Sequence, residues 1–193
     1  RAASAGLLGA LGSPGVRTIV LYAAALGLGF GGVELAMTAF AEGEGARELG
    51  GVALACFSGG SLIGGLIAGM RPSSDDHRRF LVGSVAVRLA LFALQAAVSI
   101  PTLCVLAFLA GLPVAPTVAA IYTLIDRAAV EGTVAEAFAW FGTAVSLGIA
   151  VGTATGGVLV DERGVRWAFA LGAGIALLGS ALAWARRRTF AAA

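Results

Sequence analysis

Chemistry inside an apolar segment needs a group that can hold a charge or a proton, and Glu34 is the acid so placed. It stands in an otherwise apolar run, residues 18–40, five residues beyond the middle. On a helix rising ~1.5 Å per residue, that is about 7.5 Å from the midplane of a membrane span. A carboxylate at that depth is costly unless paired, hydrated or protonated, and by default it marks a site. Taking up and releasing a proton is the chemistry it offers. The structural alternative is an acid that reaches water at the outer end or bonds to a neighbouring helix. Arg88 is the buried-looking base, near the middle of residues 80–100. It either pairs with an acid or snorkels along its stem towards the cytoplasmic face. Gln95, two turns on, reads as a hydrogen bond between helices. Pro113 and Pro116 fall near the middle of another apolar run, residues 102–125. Each removes a backbone donor and kinks a helix, freeing carbonyls to face a cavity or merely fixing a bend.

Other chemistries find little to work with. Cys56 and Cys104 lie inside apolar runs, no CxxC occurs, and His77 is the only histidine. Neither a zinc site nor a disulfide framework is expected, no metal or cofactor is assigned, and the cysteines read as small packing residues. An intramembrane serine protease needs a serine in a strained loop and a histidine on a membrane helix. His77 sits in a charged loop and no Gly-x-Ser-Gly occurs, so the chain is not expected to be an enzyme.

The elements that position these residues follow from composition. Hydrophobic residues make up 59% of the 193, charged residues 12%, and mean hydropathy is +0.93. Soluble domains carry about twice that charge fraction, so this is an integral membrane protein with the lipid bilayer as its solvent. A net charge of +2 gives no reason to expect a nucleic-acid partner. Six spans are expected at about 18–40, 51–70, 80–100, 102–125, 137–160 and 165–185, within a transmembrane domain of residues 17–188. Residues 1–16 read as a linker remnant, with Leu7, Leu8 and Leu11 able to lie along an interface, and residues 189–193 as a tail. The fifth span carries a ladder of small residues four apart, Ala144, Gly148, Gly152 and Gly156, and the second a similar one, Gly60, Gly64 and Ala68. Such ladders stack on one helix face and let a second backbone approach closely in lipid. Asp126-Arg127 and residues 71–79 read as solvated ends.

All 13 basic residues are arginine. Arg17, Arg71, Arg78, Arg79, Arg127 and Arg186 to Arg188 fall on one side, against Arg47, Arg163 and Arg166 on the other. That bias places both termini in the cytoplasm. Trp140, Trp167, Trp184, Tyr22 and Tyr122 fall near span ends, where an aromatic belt belongs. The lack of lysine and asparagine beside abundant Ala, Gly and Arg suggests a GC-rich bacterial source.

The two ladders lie 88 residues apart, Leu26-Gly-Leu28 precedes Ala110-Gly-Leu112 by 84, and Phe80 precedes Phe169 by 89. Spans one to three thus repeat as spans four to six, and an odd number of spans turns the second copy upside down, as in many secondary transporters. Chance alignment of two glycine-rich helices is the alternative.

The order and spacing of Gly111-Leu-Pro-Val-Ala-Pro116, Glu136-Ala-Phe-Ala-Trp140, the Gly148/Gly152/Gly156 ladder with Gly157, and Asp161-x2-Gly164-x2-Trp-Ala-Phe169 resemble the C-terminal half of a major facilitator superfamily transporter. Gly64-Gly65-x3-Gly69 with its basic loop is similar to that family's second-helix pattern, although Pro72-Ser-Ser-Asp-Asp76 departs from the compact arrangement. The resemblance implies an all-α membrane fold of two inverted three-helix repeats. It implies half of a secondary transporter that moves a small molecule by alternating access, by proton-coupled efflux as in bacterial drug exporters of the inner membrane. Its partner would be an N-terminal six-helix half, and its first and fourth spans would line the substrate or proton pathway. That brings in Phe30, Thr38, Thr117, Tyr122 and Thr123 beside Glu34, Pro113 and Pro116, and makes the span of Arg88 peripheral. A structural or oligomeric channel-type six-helix protein is the alternative, and it would need no second half.

Overall fold

The computed structural model describes residues 9–70 and 75–190, the side chain of Phe190 excepted. Helix ends follow local capping. Ser13 accepts a hydrogen bond from the Val16 amide at 3.4 Å and Pro14 occupies the first turn, where its missing donor costs nothing. Helix α1 (Pro14–Gly43) therefore starts before the expected span, and Leu11 lies in a 3-10 turn, Gly9–Gly12, just ahead of it. Leu7 and Leu8 are outside the described residues. Helix α2 (Gly50–Gly69) is entered through a 3-10 turn, Arg47–Leu49. Asp75 caps α3 (Asp76–Ala93) by accepting from the Arg78 amide at 2.9 Å, and a 3-10 turn, Leu94–Ala96, extends it.

The fourth span is two helices, α4 (Ile100–Gly111), opened by a reciprocal Ser99–Thr102 capping box, and α5 (Val114–Ala128). Helices α6 (Val134–Arg163) and α7 (Val165–Ala185) are separated by Gly164 alone, whose φ of 89° favours glycine. Asp161 to Arg163, expected as a loop, are thus the last turn of α6. A 3-10 turn, Arg187–Phe190, follows α7, so the expected tail begins inside ordered structure.

Six spans are long and apolar enough to cross a membrane, and the described residues hold no strand. Leu62, Leu66, Met70 and Leu178 stand exposed on these membrane-length helices or at their ends.

The internal repeat is visible in the packing. On α6, a Cβ added at Gly148 or Gly152 would strike the carbonyl oxygens of Ala24 and Leu28 on α1. Shifting the first-span residues by 84 and the second-span residues by 88 turns these pairs into Phe108 with Gly60 and Leu112 with Gly64. Those are contacts that α2 makes with α4. The return contact obeys the same shifts: Gly27 lies against the Val145 carbonyl, and Gly111 against that of Phe57. Chance alignment does not produce matched backbone contacts, so α1–α2–α3 and α4/α5–α6–α7 are two copies of one unit. Ala144 and Gly156 complete the buried face of α6. At both crossings the absent side chains let backbones touch, which is how helices associate where lipid competes for every apolar surface.

Candidate functional site

Glu34 shares a stripe of α1 with Phe30 and Thr38, four residues to either side. Both neighbours touch α2. Phe30 meets Phe57 edge-on with ring centroids 5.8 Å apart, and a Cβ on Gly50 would stand 3.1 Å from the Thr38 Cα. Glu34 is therefore level with residues 53 and 54 of α2. It is half-buried, and no hydrogen bond or ion pair reaches its carboxylate from the described residues. The Thr38 hydroxyl does not supply one. It turns back on its own helix, donating to the Leu35 carbonyl at 2.8 Å and leaning on that of Glu34 at 3.4 Å.

The fourth-span candidates face elsewhere. Pro113 stands at the N-cap of α5 and Pro116 in its first turn, so the two prolines start a helix rather than bend one. Pro116 has no N–H for the Leu112 carbonyl, and that oxygen rests against the Cα of Gly64. The Pro113 carbonyl accepts the Thr117 hydroxyl at 2.6 Å, and Thr117 is buried against Gly83 of α3. Pro113 and Pro116 line a groove of about 590 Å³ with Gly64, Ile67, Arg79 and Ala86 of α2 and α3. Further along α5, the Tyr122 ring packs edge-on against Phe138 and Phe141 of α6, at 5.4 and 5.6 Å. The Thr123 hydroxyl donates to Ala119 of its own helix at 3.2 Å. The expected residues thus form three groups, on the α2, α3 and α6 sides, and not one pocket.

The Major Facilitator Superfamily profile matches residues 19–192. The chain belongs to that family. Its members are membrane transporters, and six apolar spans fit one half of the family's fold. Comparison with curated proteins gives no match.

Several polar contacts of this superfamily half were not legible beforehand. Arg127, expected as a solvated end, pairs with Asp76 at 2.9 Å, and the Asp76 side chain is only 12% exposed. Arg79 donates to the Ala68 carbonyl at 2.9 Å and closes the last turn of α2, whereas residues 71–74 are outside the described residues. Glu136 accepts from the Ala10 amide at 3.1 Å and the Trp140 indole at 3.3 Å. Thr18 and Thr189 bring their hydroxyls to 3.2 Å. All of these sit at the end of the bundle that holds the described termini, and the Arg127–Asp76, Ala10–Glu136 and Thr18–Thr189 contacts join residues 51, 126 and 171 positions apart. Phe57 was missed too, yet a signal existed: it stands three residues before Gly60 in the repeated register.

Arg88 lies half-buried beside a groove between α3 and α7. Gln95 does not make the expected bond between helices. Its Nε2 is buried without a partner, and the α3–α7 hydrogen bond comes from Ser180, donating to the Ser84 carbonyl at 3.0 Å.

Proposed function

We propose that this chain is the C-terminal half of a bacterial inner-membrane exporter that moves a small molecule by alternating access, driven by protons entering through Glu34. An N-terminal six-helix half would close the cavity on the exposed side. The observation that carries the reading is Glu34 itself: a half-buried carboxylate within a span, with no counter-charge from the described residues, in a chain of the transporter superfamily. An acid that must be alternately charged and neutral is poorly served by a permanent ion pair. The loop arginines support cytoplasmic termini by the positive-inside bias.

The test uses the whole transporter in proteoliposomes, with the lipophilic cation ethidium as probe. Glu34→Gln keeps shape and removes titration. Proton-driven ethidium flux should collapse, while ethidium exchange without net proton movement survives. Loss of both fluxes would make Glu34 a substrate counter-charge instead. Undiminished proton-driven flux per folded molecule would sink both roles.

A further inference from the structure

We propose that the groove between α3 and α7 is a binding site for an anionic membrane lipid, its phosphate held between Arg88 and Gln95. The groove, about 420 Å³, runs from Arg88 up the outer half of α3 to Gln95, with Ala173, Gly174 and Leu177 of α7 as its opposite wall. Two unmet demands sit along it. No described residue forms an ion pair or hydrogen bond with Arg88, and α7 presents no acceptor side chain to it. The Gln95 amide nitrogen is buried with no partner. Both groups are donors, one is a cation, and both lie within a membrane-length helix pair where unsatisfied donors are costly.

Anionic oxygens would satisfy both at once, since a phosphate accepts several hydrogen bonds and matches the guanidinium fork. The rest of the groove suits the remainder of a lipid. Leu89 and Phe92 are 59% and 62% exposed, an apolar wall open to the bilayer from which the ligand would enter. Head and tail requirements therefore fall on one short stretch, residues 88–95, of α3 and the 3-10 turn that extends it. The lipid comes from the leaflet on the Gln95 side.

The experiment offers the intact transporter an equimolar mixture of phosphatidylglycerol and phosphatidylcholine with matched chains and reads the retained lipid by native mass spectrometry. The native protein should retain phosphatidylglycerol preferentially. Arg88→Gln should weaken that preference about tenfold, the consequence of removing one charge-assisted hydrogen bond, and Arg88→Lys should restore most of it. Gly174→Leu leaves both donors in place and fills the groove. A Cβ at Gly174 meets nothing within 4 Å, so the helices need not move, and this variant should also lose the lipid. If Arg88→Gln does not fold, Gly174→Leu and Gln95→Leu carry the test. Equal retention of the two lipids by the native protein would overturn the site, and is the result expected if Arg88 pairs with an acid elsewhere in the whole transporter. Native-like phosphatidylglycerol retention in both Gly174→Leu and Gln95→Leu would overturn it equally.

Discussion

The α1–α6 crossing and the α4–α2 crossing are one arrangement made twice, yet the helices that enter them differ. Helix α1 runs unbroken for 30 residues, whereas its counterpart divides between Gly111 and Val114. The shift of 84 sets Gly29 against Pro113 and Gly32 against Pro116. On α1 the glycines let α7 close in: a Cβ on Gly29 would come within 3.1 Å of the Gly172 carbonyl oxygen. On α5 the prolines cannot serve that purpose, and the α3 side opens into the groove that also receives Arg79. The crossing therefore belongs to the ladders, while the chemistry of the partner span decides whether its other flank is sealed or open.

The ladders should carry the largest effects. Gly152→Leu and Gly64→Leu each force a side chain into a backbone carbonyl, of Leu28 and Leu112 respectively. The cost should exceed the ~1–3 kcal/mol of ordinary overpacking, because whole helices must separate. Both variants should lose most folded protein, measured as the monodisperse fraction and melting temperature in detergent. Gly142→Leu, which meets nothing within 4 Å, should behave as native. If one ladder tolerates leucine and the other does not, the two crossings are not equivalent.

Next comes the exchange of helix breakers. Gly29→Pro puts a proline into the buried interior of α1, removing a hydrogen bond and clashing one turn back, at a cost of about 3 kcal/mol. Pro116→Ala should change stability by less than about 1 kcal/mol, because a first-turn proline gives up no helical bond. Thermal unfolding of the two variants side by side reads the contrast. A large loss from Pro116→Ala would mean that the break in the fourth span holds the copy together and is not merely tolerated.

Cysteine chemistry sharpens the register. Spans two and four run in the same direction, so Cys56, one turn before Gly60, stands beside Cys104, one turn before Phe108. Copper-phenanthroline should link them, seen as protection of both thiols from a maleimide polymer added after denaturation. The same shifts carry this pair to Val20 and Ala144. Placing cysteines there, with Cys56 and Cys104 replaced by alanine, should give the same link across α1 and α6. A link at one crossing only would break the equivalence at single-turn resolution.

How much of this was legible beforehand depended on how local the cause was. Apolar runs define six spans, and four-residue spacing of Gly148, Gly152 and Gly156 defines a packing face, because both are written within one helix. The span ends moved because single capping groups at Ser13, Asp75 and Gly164 set them. Pro113 and Pro116 announced a break, but not that its freed carbonyl would rest on Gly64, which belongs to another span. The separation of Thr117 from Glu34 was hidden for the same reason. Position along a span is readable, whereas the face a residue presents depends on which neighbour packs there.

The smallest effect expected lies where the two copies differ in charge. Arg127 and Asp76 tie the end of α5 to the start of α3, and the first-span shift of 84 and the third-span shift of 89 map them to Gly43 and Val165, which can form no ion pair. Arg127 is 60% exposed, so water screens its side of the bridge and the pair should contribute no more than about 1 kcal/mol. Asp76→Asn should therefore lower the melting temperature only slightly. Asp76→Arg should cost more, because it sets two cations together beside a nearly buried position. The double exchange Asp76→Arg with Arg127→Asp should recover most of that loss, and a double-mutant cycle isolates the pair from the change of shape. Recovery makes the bridge a true tie between α3 and α5, one that the α1–α7 side does without because its glycines already hold the helices together. Independent, additive losses would mean that proximity alone brings Arg127 to Asp76, and that the proline-bearing copy is as self-sufficient as the other.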